Sequence, residues 1–288
     1  MKLIARVPAT SANLGPGFDC FGLALDLCNE VALDTDAEPG VTWEGEGAGE
    51  LPTDGSDMVS RAIGRLAERE RVDPPAFALY GSNRIPLERG LGSSAAACVA
   101  GLALAARLLG LELDAGDAVR FASEIEGHPD NAAAAIHGGF AMALEDGSVT
   151  RFDPHPELRP VVLIPDVRLP TEEARRALPD RVPRADAVFN AGHAALAVLA
   201  LTHRPDLLAE ALQDRLHQPF RLALVPSVAA VFEDLRGNGI PVCVSGAGPT
   251  LLAFDTPGLE VPDPGAGWRT LRVPVRPTGV EILDGPEG

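Results

Sequence analysis

Residues 86–97 read PLERGLGSSAAA. Gly90, Leu91 and Gly92 make a Gly-x-Gly turn, Ser93 and Ser94 follow, and an alanine run suited to opening a helix starts at Ala95. Such a turn presents backbone N–H groups at a helix N-terminus, where the aligned peptide dipoles favour an anion. A phosphate loop usually carries a lysine as well. None is present here, and Lys2 is the single lysine in a 288-residue chain of net charge −17. The stretch therefore raises a question of charge: what would neutralise a phosphate held on this loop?

Working outward, the apolar run after the loop predicts a buried helix over 93–109, and FALYGSN (77–83) before it predicts a strand. Upstream, 57–70 has the periodicity of an amphipathic helix. LIARV (3–7), FGLALDL (21–27) and EVALDTD (30–36) read as strands, the first two joined by the turn-rich SANLGPGFD (11–19). Residues 114–126 read as a helix with Asp114 as its N-cap. After PDVRLP (165–170) the pattern changes to helices over 185–201, 205–216 and 228–236. Short strands follow at PVCVSG (241–246), TLLAFD (250–255), WRTLRVPV (268–275) and GVEILD (279–284). Runs of helices and runs of strands, without strict alternation, make an α+β class. The proline-rich 153–165 marks the domain boundary, giving units 1–155 and 156–288.

A hydrophobic content of 46% supplies a real core. With 41 acidic against 24 basic side chains, a nucleic-acid surface is a poor expectation, because phosphate backbones demand clustered Lys and Arg. A small-molecule partner fits better. No apolar run is expected to approach membrane length and MKLIARVPAT lacks the core of a signal peptide, so the expected setting is the cytosol, with no membrane partner. Cys20, Cys28, Cys98 and Cys243 form neither a CxxC pair nor a zinc-spaced cluster, and each reads as a reduced, small core residue.

Three further stretches concentrate chemistry. SANLGPGFD sets Ser11, Asn13 and Asp19 among glycines that allow close backbone approach. SGAGPT (245–250) is a second glycine-rich turn, and two such loops suggest two backbones closing on one ligand. EIEGHPDNAA packs Glu126, His128, Asp130 and Asn131 into six residues. Glu124 and Glu126 are both candidates for a magnesium site, which takes hard oxygen ligands.

PATSANLGPGFD, RGLGSSAA, EGHPDNAA, LPTEEAR and SGAGPT, in this order and across nearly the whole chain, resemble the blocks of the GHMP small-molecule kinase superfamily. The wording of the first block is most similar to members that phosphorylate homoserine. The resemblance implies a two-domain fold, an N-terminal ribosomal-protein-S5-like domain and a C-terminal ferredoxin-like domain. ATP and substrate would lie between the two, with magnesium as cofactor and a homodimer as the common assembly.

It also implies an answer to the charge question: amides of residues 90–95, the positive end of the following helix and magnesium would meet the phosphates. Pro86, Leu87, Glu88, Arg89, Gly90, Leu91, Gly92, Ser93, Ser94, Ala95 and Ala96 would form the ATP loop. Asp57 would lie near the base, where many members have asparagine. Ser94 and Glu126 match the metal-ligating pair, with Glu124 as the alternative to the glutamate. Asp19 would take the ammonium of homoserine, and Arg175 and Arg221 its carboxylate. Asn13, His128, Asn131, Thr171, Gly246 and Gly248 complete the substrate site. Asn131 stands where relatives such as mevalonate kinase carry an aspartate. An amide is no base, so direct in-line attack of the hydroxyl on the γ-phosphorus is implied, with Asp130 left as a possible base.

Two other readings compete: a superfamily kinase for another alcohol, and a noncatalytic ligand-binding relative. Asp19 with two arginines, matching the two charges of an amino acid, weighs against the first. Ser94, a metal glutamate and both glycine loops weigh against the second.

Overall fold

The computed structural model describes residues 1–285. Two sheets divide the chain. The first holds β1 (Lys2–Ala12), β2 (Phe21–Asp34), β3 (Gly40–Gly45), β4 (Ala78–Asn83), β5 (Phe140–Ala143), β6 (Val149–Phe152) and β11 (Glu281–Asp284). Its main order is β11-β1-β2-β4-β3, with β5 and β6 continuing from the first residues of β2. The second sheet is antiparallel, in the order β10 (Trp268–Arg272), β7 (Pro160–Pro165), β9 (Leu251–Phe254), β8 (Val242–Val244). The sheets change between Phe152 and Pro160, and β11 then returns to pair with β1.

The runs read as separate strands at 21–27 and 30–36 are one strand, β2. The ladder with β1 slips where Pro8 faces Cys28 and Ala9 faces Leu25, so two residues of β2 bulge out. Proline has no N–H to give a ladder, and a break at that point is its usual consequence.

Helices α1 (Met58–Glu70), α2 (Ser93–Leu109), α3 (Ala115–Glu126) and α4 (Asp130–His137) cover the first sheet. Asp57 caps α1 and Asp114 caps α3, each accepting a backbone N–H three residues on. The small side chains of α2 let it sink among its neighbours, and Ala95, Ala96, Cys98, Val99, Leu102 and Leu104 are all buried. Cys28, Cys98 and Cys243 are buried core residues, and Cys20 is half-buried.

Beyond β7 come α5 (Thr171–Arg176) and α6 (Arg184–Thr202), then a 3₁₀ turn, Pro205–Leu207, leading into α7 (Leu208–Ala211). The expectation of one helix over 205–216 is corrected here: the chain breaks after Ala211 and restarts as α8 (Gln218–Leu224), before α9 (Pro226–Gly237). The break is made by Asp214, whose carboxylate accepts the N–H groups of Leu216, His217 and Gln218. A side chain that captures three successive amides competes with the helix and starts a new one.

The expectation that no apolar run approaches membrane length also needs correction. By length and composition α6 could cross a bilayer, its best window having a mean hydropathy of 1.3. Alanines raise that value. Yet Ala197, Ala200 and Leu201 enter the core, and buried Asn190 donates to Asp214 at 2.7 Å.

Candidate active site

Three loops from distant parts of the chain meet over the N-terminus of α2. Thr10 donates its N–H to the Leu91 carbonyl at 3.1 Å, and Gly246 donates to that of Ala12 at 3.0 Å. Ser245 Oγ donates to Gly90 O at 2.7 Å and Asn13 Nδ2 to Gly246 O at 2.8 Å. The glycines of the 90–92 turn are required by this closeness. Both have positive φ, and a Cβ on Gly90 would stand 2.2 Å from the carbonyl oxygen of Ser245. On the facing loop Asn13, Leu14 and Asp19 adopt left-handed backbone, strain of a kind that collects at binding sites.

The loops enclose a cavity of about 320 Å³. Pro86, residues 88–95, Asn13, Asp19, Glu126, His128, Asp130, Asn131, Thr171, Arg175, Arg221 and Gly246 line it. Segments read separately in the sequence thus face one space. A second cavity of about 340 Å³ adjoins it, sharing Glu88, Ser93 and Ser94, with Trp43, Leu51, Met58, Leu87, Ala96 and Asp57 in its wall. Asp57 there has both carboxylate oxygens engaged by its own helix, accepting from Ser60 N at 2.9 Å and Ser60 Oγ at 2.6 Å. Gly248 lines neither cavity; it closes the SGAGPT turn by donating to Ser245 O at 2.8 Å.

Between the cavities Ser94 Oγ donates to Glu126 Oε1 at 2.8 Å, while Glu124 is exposed and lines neither space. Burial pushes the Glu126 carboxyl up, and the Ser94 hydroxyl pulls it part of the way back. These two oxygens beside the amides of α2 fit the donor preference of a magnesium ion that keeps waters and phosphate in its remaining positions.

Asp130 is buried at the start of α4, and its Oδ1 is crowded. It accepts from His128 Nδ1 at 2.8 Å, Asn131 N at 2.7 Å and Asn131 Nδ2 at 3.2 Å. Burial alone would depress the His128 pKa, but the Asp130 carboxylate overrides it and holds the imidazole above its ordinary value. Asn131 Oδ1 accepts from Thr10 Oγ1 at 2.7 Å, which fixes the amide's orientation.

Opposite, Asp19 and Arg175 do not stand apart, as their separate roles in the sequence suggested. They form a bidentate pair at 2.9 and 3.1 Å. Arg221 is buried, which lowers its pKa to about 10 and leaves it charged at neutral pH. Its NH1 donates to Gly246 O at 2.8 Å, and its Nε has no partner. A buried guanidinium N–H without an acceptor is costly, and the same side chain lines the cavity.

Residues 57–139 match the GHMP kinase N-terminal domain and residues 195–260 the GHMP kinase C-terminal domain. The homoserine kinase of Streptomyces coelicolor is 43% identical over 96% of this chain and 93% of its own length. The homoserine kinase of Cutibacterium acnes is 48% identical over 86% of this chain and 87% of its own. The chain belongs to the homoserine kinases of the GHMP kinase family.

Among solved structures, homoserine kinase from Cytophaga hutchinsonii superposes with a TM-score of 0.83 at 27% identity, covering 98% of this chain and 97% of that one. Mevalonate diphosphate decarboxylase from Staphylococcus aureus shares the fold alone, with a TM-score of 0.67 at 18% identity and 98% coverage of both chains. One residue of the site region escaped the sequence reading. His217, wholly buried, donates through Nε2 to Gly15 O at 2.8 Å and contacts Arg221. Its signal lay in LHQPFR, where the histidine stands four residues before the arginine, within one helical turn.

Proposed function

We propose that the paired cavities bind ATP and L-homoserine and that the protein transfers the γ-phosphoryl group to the homoserine hydroxyl, yielding O-phospho-L-homoserine and ADP for threonine biosynthesis. One observation carries this reading. The cavity that receives the phosphate loop also presents the Asp19–Arg175 pair and the half-satisfied Arg221, a charge set suited to a zwitterion.

In this reading the apolar second cavity takes the nucleoside, and the loop amides of residues 90–95 take the phosphates. Ser94 and Glu126 would hold magnesium, which when bound offsets phosphate charge and orients the γ-phosphoryl group. The substrate's ammonium goes to Asp19 and its carboxylate to Arg175 and Arg221, with Asn13, His128, Thr171 and Gly246 shaping the pocket. Asn131, its carbonyl oxygen held by Thr10, positions the hydroxyl with its amide N–H.

Three donors hold the Asp130 carboxylate by its Oδ1, and the reading is of a mechanism without a general base because the neighbouring Asn131 is an amide that takes no proton. Positioning and charge stabilisation then supply the catalysis. A cytosolic homodimer, with functional units 1–155 and 156–288, belongs to the same reading.

The test is ADP release with magnesium ATP across homoserine, mevalonate, shikimate and galactose. Turnover confined to homoserine supports the reading; turnover with another alcohol alone, or with none, refutes it.

A further inference from the structure

His217 lies behind the cavity and does not line it. Its Nε2 is 2.8 Å from the Gly15 carbonyl oxygen, and its Nδ1 is 3.2 Å from NH1 of Arg221. A carbonyl oxygen only accepts, and a guanidinium only donates. The ring must therefore carry its proton on Nε2 and present a bare lone pair at Nδ1. An imidazolium would set N–H against N–H and lose the second bond.

The surroundings hold that state. The His217 ring stacks on Phe18 with centroids 5.3 Å apart, and the guanidinium carbon of Arg221 is 5.3 Å from the same Phe18 centroid. The charged groups facing the ring are Arg221, Asp214, whose Oδ2 is 3.7 Å from Nε2, and more distant Asp19. Asp214 is already saturated by Asn190 Nδ2 and three backbone amides. NH1 of Arg221 is thus gripped by two acceptors, His217 Nδ1 and Gly246 O, while the side chain lines the cavity.

We propose that His217 is a positioning residue for the reaction: through Nδ1 it fixes the Arg221 guanidinium that receives the carboxylate of the amino-acid substrate. This rests on the reading of Arg221 given under Proposed function, and deepens it. The histidine touches no substrate. It sets the direction of the group that does, so its loss falls on recognition of a carboxylate and not on ATP.

Three substitutions separate its two bonds. His217→Asn keeps an acceptor near the Nδ1 position, His217→Gln keeps a donor near Nε2, and His217→Phe keeps only the stack on Phe18. Affinities for homoserine and for 3-aminopropanol, which lacks the carboxylate, are measured together with KM for ATP and the unfolding midpoint. His217→Phe and His217→Gln should weaken homoserine binding about tenfold or more, with 3-aminopropanol and ATP moved by less than about threefold and His217→Asn recovering most of the loss. Equal losses for homoserine and 3-aminopropanol, or no rescue by His217→Asn, would overturn the proposal.

Arg221→Ala separates this inference from the reading beneath it. If Arg221→Ala keeps the preference for homoserine over 3-aminopropanol, the substrate reading itself is wrong. If it loses the preference while His217→Phe keeps it, His217 alone is misassigned. Should the variants fail to fold, ¹⁵N-histidine NMR of the unaltered protein still decides. The His217 signals should show a protonated Nε2 and a bare Nδ1 at neutral pH, and a protonated Nδ1 would refute the assignment.

Discussion

The guanidinium of Arg175 rests on the carboxylate of Asp19, NH2 to Oδ1 at 2.9 Å and NH1 to Oδ2 at 3.1 Å, across 156 residues of sequence. The pair is partly exposed to the cavity, so its own contribution to stability is modest. Under the proposed substrate reading, an arriving zwitterion would replace each partner with a group of the same charge, ammonium for guanidinium and carboxylate for carboxylate. Arg175→Ala should lower kcat/KM for homoserine by about 10- to 150-fold, the worth of a charge-assisted hydrogen bond of about 1.5 to 3 kcal/mol. Asp19→Asn should cost a similar factor, and the double variant less than the product, because the two residues bind one ligand as a unit. Steady-state kinetics on the four proteins reads this directly. Fully multiplicative losses would place the two residues in separate roles.

Ser94→Ala removes an oxygen from the Ser94–Glu126 pair without touching the core, so the fold should survive while turnover falls by about tenfold or more. Circular dichroism checks the first statement and kinetics with magnesium ATP the second. Unchanged kcat would mean that the hydroxyl only orders the glutamate.

Much of this site is legible in sequence because its chemistry is local. The GLGSS turn, the EGHPDN cluster and the SGAGPT turn each bring their own amides and polar side chains, and the cavity gathers all three. What sequence does not disclose is pairing at a distance. Asp19 and Arg175 read as opposite poles of a ligand and are in fact each other's partner. The helix read over 205–216 was lost to Asp214, whose capture of three amides depends on a loop conformation that periodicity does not encode. Likewise β11 pairs with β1 because the first sheet has an edge to cover, a tertiary fact that no feature of GVEILD announces.

A mechanism without a general base makes Asn131 more sensitive than its neighbour's charge. Asn131→Ala should reduce kcat through lost positioning. Asp130→Asn should be milder in the chemical step, provided that its fold is intact, because an amide oxygen still accepts at that place. Single-turnover rates compare the two. Abolished phosphoryl transfer in Asp130→Asn, with folding and binding preserved, would restore the carboxylate as a base.

Burial lowers the pKa of His217, so between that lowered value and the ordinary histidine value of about 6.5 the unfolded chain binds a proton that the folded chain does not. The stability it supports is therefore complete above about pH 6.5 and declines as pH falls, by at most about 1.4 kcal/mol per pH unit. Urea unfolding between pH 7.5 and 5 should show a shallower decline in His217→Asn than in the unaltered protein. Parallel curves would mean that the imidazole titrates alike in the folded and unfolded chains and that its pKa is not lowered by burial.

In the proposed reaction one cleft joins a γ-phosphoryl group to the hydroxyl of an amino acid. ³¹P NMR of the reaction with magnesium ATP and L-homoserine tests it most directly. The expected result is a phosphomonoester signal that grows in step with ADP and is coupled to the γ-methylene protons of homoserine. Inorganic phosphate growing with ADP, and no ester signal, would contradict it.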